Sequence, residues 1–411
     1  MDADDAESEI PDGGMGVKTP MREEWIDRLK GILITLVVLG HAVGSAAITA
    51  DESVRPFFSG VYRVIYLFHM PAFFLLSGML WKRPTGSFGA FVLRKMKRLL
   101  VPFWVFGCFS MIIYWLFAGQ VAIQDASGYW LGTMRERHWW APLFALVTGS
   151  SYPGTDGFKC NSVLWFLPCL FVMHCLYWWV ERLRIAGWIR LVGGTVAIMG
   201  WLELSKVGIP WYPLQLNEVL RYGFFFVVGD VAGAFWKKIR WNWMLTVCVV
   251  VGYLYGARQV PYGYWTFTHL NWWGVAVLTA LAGSVAALLL AKSVKGRWFV
   301  DLGECSMGIM LLHKIPLLAI QTRIPMVVEG MRSVSQWVAA TTCVGMTFVV
   351  IMFSYAGTKM ILHWCPWALG VGTQTVSKRC LWRVFRGTRM LRDRRSRIEA
   401  SRSEITTYHA D

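Results

Sequence analysis

Long apolar blocks separated by short polar ones run through most of this chain. Ten such blocks stand out, at about 31–49, 57–80, 99–118, 163–180, 188–204, 219–236, 243–256, 270–291, 305–322 and 336–362. Their lengths lie near the roughly 20 residues that an α-helix needs to cross a hydrocarbon layer of about 30 Å. The fifth and seventh are the shortest. The pattern predicts an all-α integral membrane protein, a bundle of about ten transmembrane helices spanning 25–365. An acidic tail at 1–24 precedes the bundle and a basic tail at 366–411 follows it, both expected to be disordered.

Composition supports this reading. Of 411 residues, 55% are hydrophobic, 24 are Trp, and the mean hydropathy is +0.44, values of a chain that partitions into lipid. The first block follows acidic residues and not a short basic leader, so it reads as a retained helix rather than a signal peptide. The nine cysteines lie mostly inside apolar blocks and show neither metal-ligand spacing nor a disulfide framework. No metal is expected.

Charge supplies an orientation. With ten spans, the connections on the side of the termini carry Lys82, Arg83, Arg94, Lys95, Lys97, Arg98, Arg182, Arg184, Arg190, Lys237, Lys238, Arg240, Lys292, Lys295 and Arg297. The opposite connections carry about half as many basic residues, nearly cancelled by Asp51, Glu52, Asp125, Glu136, Asp156, Glu218 and Glu329. Basic residues favour the cytoplasmic side, so both termini are expected there, with the chain in the cell membrane. The tails nearly cancel in charge, so the net +16 belongs to the membrane body. The basic loops serve as topology determinants or as ligands for phosphates. The run Lys378–Arg397 follows the last block directly and reads as an arm on anionic lipid, not as a nucleic-acid site.

Against this apolar background a few polar groups demand explanation, because an ionisable side chain at bilayer depth costs several kcal/mol unless it is paired or faces a wet cavity. Asp27, Lys30 and His41 fall on one side of the first helix. Eleven steps at 100° bring Lys30 and His41 within about 20° of each other, roughly 16 Å apart along the axis. Others are Arg63 and His69 in the second block, Glu218, Arg221 and Asp230 around the sixth, and Ser306, His313 and Lys314 in the ninth. Ser306 and His313 also share a helical face. A lone intramembrane histidine is often a hydrogen-bonded structural residue, and for His69 and His174 that reading weighs as much as a functional one. Ten spans with buried His, Arg and Glu would also suit a secondary transporter or a lipid-linked sugar flippase, although no internal repeat is visible.

Five stretches, in order, resemble one known family. Asp27-Arg-Leu-Lys30-Gly31 with Val37-Val38-Leu-Gly40-His41 looks like the first-helix signature of the membrane acyltransferase type 3 family. Phe68-His69-Met70-Pro71 through Ser77-Gly78 resembles its second-helix motif, Arg98-Leu-Leu-Val-Pro102 its third and Leu164-Trp165-Phe166-Leu167 its fourth. Leu302-Gly303-Glu304-Cys305-Ser306 through His313 resembles its late Ser-to-His motif. Many members carry Arg where this chain has Lys30. The resemblance implies O-acylation of a carbohydrate, with acetyl transfer favoured over succinyl.

Such a transfer needs a base for the acceptor hydroxyl, positive charge for the thioester oxyanion, and exclusion of water. His41 suits the first role, with Lys30 or His313 stabilising charge and Asp27 holding Lys30. Arg94, Lys95, Lys97 and Arg98 are candidates for clamping the phosphates of acetyl-coenzyme A. His69, Ser306, Arg221, Trp139 and Trp140 are candidate contacts for the carbohydrate acceptor. Trp139 and Trp140 could equally belong to an interfacial aromatic belt.

Overall fold

The computed structural model describes residues 23–49, 54–117, 140–150, 159–207, 213–260, 273–323 and 335–371. Among these there are helices and turns but no strand, 87% helix in all. The chain threads through α1 (Glu24–Thr49), α2 (Arg55–Tyr66), α3 (His69–Met79), α4 (Phe88–Lys95), α5 (Val101–Phe117), α6 (Ala141–Thr148), α7 (Phe166–Arg182) and α8 (Gly187–Val207). It continues through α9 (Leu216–Val231), α10 (Gly233–Lys238), α11 (Trp243–Gln259), α12 (Trp273–Ser293), α13 (Arg297–Glu304), α14 (Ser306–Leu312), α15 (Lys314–Arg323) and α16 (Gln336–Trp364). Among the described residues, five helical stretches are long and apolar enough to cross a membrane: Arg55–Met79, Phe88–Ile113, Asn161–Arg182, Trp273–Ser293 and Gln336–Trp364. Along α16, Trp337, Val344, Phe348, Phe353, Met360 and Trp364 are exposed, an apolar surface suited to lipid.

Two apolar blocks that read as single helices, 57–80 and 305–322, are interrupted, and a third, 99–118, is entered through a distorted turn, each with a proline a few residues downstream; the 219–236 block breaks at Ala232 without one. Proline has no N–H for the carbonyl four residues back. Pro71 deprives Leu67, and the helix breaks at Leu67 and Phe68 between α2 and α3. Pro102 deprives Arg98, and the backbone widens into a π-turn at Met96–Leu100, where the Val101 N–H reaches back to Met96. Pro316 deprives Leu312, and α14 ends there, leaving His313 between α14 and α15. His69, Lys97, Arg98 and His313 all sit at these breaks.

α1 is central, packing on α2, α12, α13, α14 and α16. It meets α13 with almost no side chain between the backbones. A Cβ on Gly31 would collide with the Phe299 carbonyl, and one on Gly303 with the Asp27 carbonyl. α3 and α9 cross in the same way: Gly78 lies against the Phe226 carbonyl and Gly229 against that of Leu75. Small residues at such crossings let helices approach where lipid supplies no hydrophobic drive.

The folded body extends past the boundary drawn at 365. Pro366–Leu369 forms a 3-10 turn with Pro366, Ala368 and Leu369 buried, ending on Gly370 at φ +66°. Gly370 packs against the Arg98 backbone, where a Cβ would collide with the carbonyl. The few apolar residues of this turn fall outside any long block, so hydropathy alone places it in the basic tail. The rest of both tails lies outside the described residues.

Candidate functional site

His41 lies nearly five turns along α1, among side chains from three other segments. At the end of α2, the Tyr66 hydroxyl is 3.1 Å from His41 Nδ1. The Tyr66 ring stacks on Tyr62, one turn earlier, with centroids 3.8 Å apart, and the Tyr66 phenol also hydrogen-bonds Tyr62. His69, the first residue of α3, meets the Tyr66 ring edge-on at 4.7 Å. From the break after α14, His313 brings its ring to 5.3 Å from His41. Lys314, the next residue, is within electrostatic reach of both imidazoles. The structure thus gathers His41, His69 and His313 from motifs far apart in sequence.

Hydrogen bonding sets these imidazoles apart. His69 Nδ1 is 2.9 Å from the Ile65 carbonyl, and His313 Nδ1 is 3.1 and 2.8 Å from the carbonyls of Ile309 and Met310. A carbonyl only accepts, so Nδ1 carries the proton in both rings and Nε2 is left as a lone pair. His41 Nδ1 instead faces a phenol, which can donate or accept. His313 is 0% and His69 3% exposed, whereas His41 keeps accessible surface. His313 Nε2 is buried and finds no hydrogen-bond partner among the described residues.

Asp27 and Lys30 form a separate feature at the N-terminal end of α1. Lys30 Nζ is 3.4 Å from Asp27 Oδ1, the carboxylate 2% and the ammonium 28% exposed. The helical line from Lys30 to His41 is not a continuous polar stripe. Ile34 and Val37 occupy it, buried in a cluster with Leu302, Ile309, Met346 and Val350. Spacing alone put the two groups on one face; the packing of α13, α14 and α16 fills the space between them with apolar side chains.

The four basic residues proposed for the donor do not act alike. Arg94, Lys97 and Arg98 are exposed, and Arg94 donates to the Thr85 carbonyl at 3.2 Å. Lys95 turns inward, its ammonium 5.6 Å from the Trp81 ring centroid and 5.4 Å from that of Phe91, a cation–π cage. Two other loop cations are structural. Arg190 binds Glu181 at 2.5 Å and Asp230 at 2.9 Å. Lys292 donates to the carbonyls of Trp236, Lys237 and Ile239 at 3.0, 3.3 and 2.6 Å, over the Trp25 ring, capping α10.

On the proposed acceptor side, Arg221 pairs with Glu218 at 3.1 Å, with its guanidinium 5.3 Å from the Trp201 ring and 5.0 Å from that of Tyr222. Tyr222 stacks on Phe74 at 4.9 Å and on Trp165 at 5.8 Å. Ser306 is half-buried at the start of α14. Trp140 is half-buried with its ring 6.0 Å from Phe144. Trp139 lies outside the described residues. No cluster of His, Cys, Asp or Glu suited to a metal occurs among the described residues.

The model of a known family, described as an acyltransferase domain, matches residues 23–356. The chain belongs to the acyltransferase type 3 family. It is therefore a membrane acyltransferase, and the matched region contains the whole His41 centre together with the basic π-turn. Comparison with curated proteins and with solved structures gave no match. Sequence reasoning missed Tyr62 and Tyr66. The signal was present, since the two lie one turn apart and Tyr66 stands three residues before His69.

Proposed function

We propose that this acyltransferase moves an acetyl group from acetyl-coenzyme A on the cytosolic side to a hydroxyl of a carbohydrate on the far side of the cell membrane. In this reading the chain spans the membrane ten times, with both termini and the Asp27 end of α1 cytosolic. The observation that carries it is the Tyr62–Tyr66–His41 chain set against His313 and Lys314 inside a bundle of this family. When His41 Nδ1–H donates to the Tyr66 oxygen, and Tyr66 to Tyr62, His41 Nε2 carries the lone pair.

His41 Nε2 then takes the proton of the acceptor hydroxyl as its oxygen attacks the thioester carbonyl. The carbon–oxygen bond forms, the carbon–sulfur bond breaks, and the departing thiolate takes the proton back from His41. Lys314 offsets the negative charge that develops on the carbonyl oxygen. Arg94, Lys97 and Arg98 hold the donor phosphates, while Arg221 and the aromatic group around Tyr222 hold the sugar. The outer face of Trp140 also belongs to the acceptor side.

The test is acetyl transfer by the purified full chain in lipid nanodiscs, using labelled acetyl-coenzyme A and a panel of glycans read by mass spectrometry. His41→Ala should insert normally and transfer nothing. A fully active His41→Ala protein, or a wild-type protein that transports a sugar and never cleaves the thioester, would overturn the proposal.

A further inference from the structure

Asn161 stands at the start of the segment leading into α7, within the 3-10 turn Lys159–Trp165, with an extended backbone at φ −154° and ψ 73°. That turn packs on α5, α14 and α15. The Asn161 side chain is 1% exposed. Its Nδ2 donates to the Leu311 carbonyl at 2.8 Å and to Ser110 Oγ at 3.2 Å, while its Oδ1 is buried without a partner among the described residues. An unpaired buried acceptor costs about 1–3 kcal/mol, so burying this amide in an apolar bundle calls for a reason.

The reason lies two residues beyond Leu311. His313 sits where Pro316 removes the bond to the Leu312 carbonyl, so one rung is missing from a ladder that otherwise runs on through His313 to Ile309 and Leu317, and the register there is held less firmly. We propose that Asn161 is a positioning residue for His313. By clamping the Leu311 carbonyl it holds α14 against α5 and α7. It thereby keeps His313 Nδ1–H on the carbonyls of Ile309 and Met310, and Nε2 as a lone pair beside His41. His313 is wholly buried and reaches the acceptor only through His41, whose imidazolium it stabilises as His41 takes the proton. The kinetic part of this inference rests on the proposed acetyl transfer; the structural part does not.

Asn161→Asp keeps the size of the side chain and replaces the donating nitrogen by an oxygen. Ser110→Ala removes the other acceptor and leaves the Leu311 contact. All three proteins are compared in nanodiscs by 15N NMR of the labelled histidines and by transfer kinetics. In the wild type, His313 should show a protonated Nδ1 and an unprotonated Nε2. In Asn161→Asp this single tautomer should give way to a mixture. The kcat should fall roughly 10- to 100-fold, the usual range for a residue that orients a functional group, with the donor KM unchanged. Ser110→Ala should match the wild type in both readouts.

An unchanged His313 tautomer in Asn161→Asp overturns the inference whatever the kinetics show, and so do equal losses in the two variants. If Asn161→Asp does not fold, Asn161→Ala, which buries no carboxylate, is measured in its place. Failure of both to fold would make Asn161 a folding residue and equally overturn the proposal. A wild-type protein inactive in transfer would refute the proposed function, yet the NMR comparison would still decide the role of Asn161.

Discussion

Tyr66→Phe isolates one interaction at the centre of the proposed mechanism. The substitution removes the oxygen 3.1 Å from His41 Nδ1 and leaves the ring that stacks on Tyr62 and meets His69. Packing is preserved, so the loss is that of a hydrogen bond. In the ground state it is neutral to neutral. In the transition state His41 becomes an imidazolium, and the bond becomes charge-assisted, worth about 1.5–3 kcal/mol. Only the part that strengthens in the transition state lowers the barrier. A neutral bond of this kind is already worth about 0.5–1.5 kcal/mol, so the strengthening is about 1–1.5 kcal/mol, and at about 1.4 kcal/mol per tenfold the expected fall in kcat is about 5- to 12-fold. The donor KM should stay within about twofold, since the site proposed for the donor phosphates is the basic π-turn, away from Tyr66. The assay is initial-rate acetyl transfer in nanodiscs at saturating acceptor, with Tyr62→Phe as a milder control one step further along the chain. A Tyr66→Phe protein with wild-type kcat, or one whose defect lies in donor KM alone, would show that the phenol does not orient His41.

Gly78→Ala drives a methyl group into the Phe226 carbonyl, a backbone obstacle that cannot rotate away. It should destabilise the bundle by at least the about 1–3 kcal/mol usual for overpacking, whereas Gly252→Ala, with nothing within 4 Å, should not; equal Tm values in detergent would refute the crossing argument. Arg190→Gln removes the guanidinium that pairs with Glu181 and Asp230, 12% and 16% exposed, leaving them only Arg83 and the Tyr177 hydroxyl among the described residues. It should lower stability by about 1–3 kcal/mol, while Arg83→Gln, whose side chain is 66% exposed, should cost under about 1 kcal/mol; thermal unfolding separates the two. Lys30→Arg should keep the pair with Asp27 and retain transfer within a few-fold, because many family members carry Arg there. Loss of transfer in this variant would mean that the ammonium has a role a guanidinium cannot fill.

The all-helical architecture and the family were legible in the one-dimensional pattern, because lipid admits few backbone solutions and apolar blocks of the right length announce one of them. The residues of the centre were partly legible for the same reason. His41, His69 and His313 stood out as polar groups where apolar ones are cheaper. Tyr66 did not, since a tyrosine in a membrane helix reads as one more aromatic. Asn161 was invisible too, a single amide at the edge of an apolar block with nothing in its neighbours to mark it.

Which polar groups meet was decided by tertiary structure. Spacing placed Lys30 and His41 on one face, yet Ile34 and Val37 fill the line between them, because α13, α14 and α16 pack there. The proline breaks bring His69 and His313 to His41, and the glycine crossings set how closely the helices approach. Periodicity along a helix fixes the direction of a side chain relative to its own axis. Which neighbour it faces depends on contacts between residues far apart in sequence, some 270 positions for His41 and His313, and no local pattern encodes those.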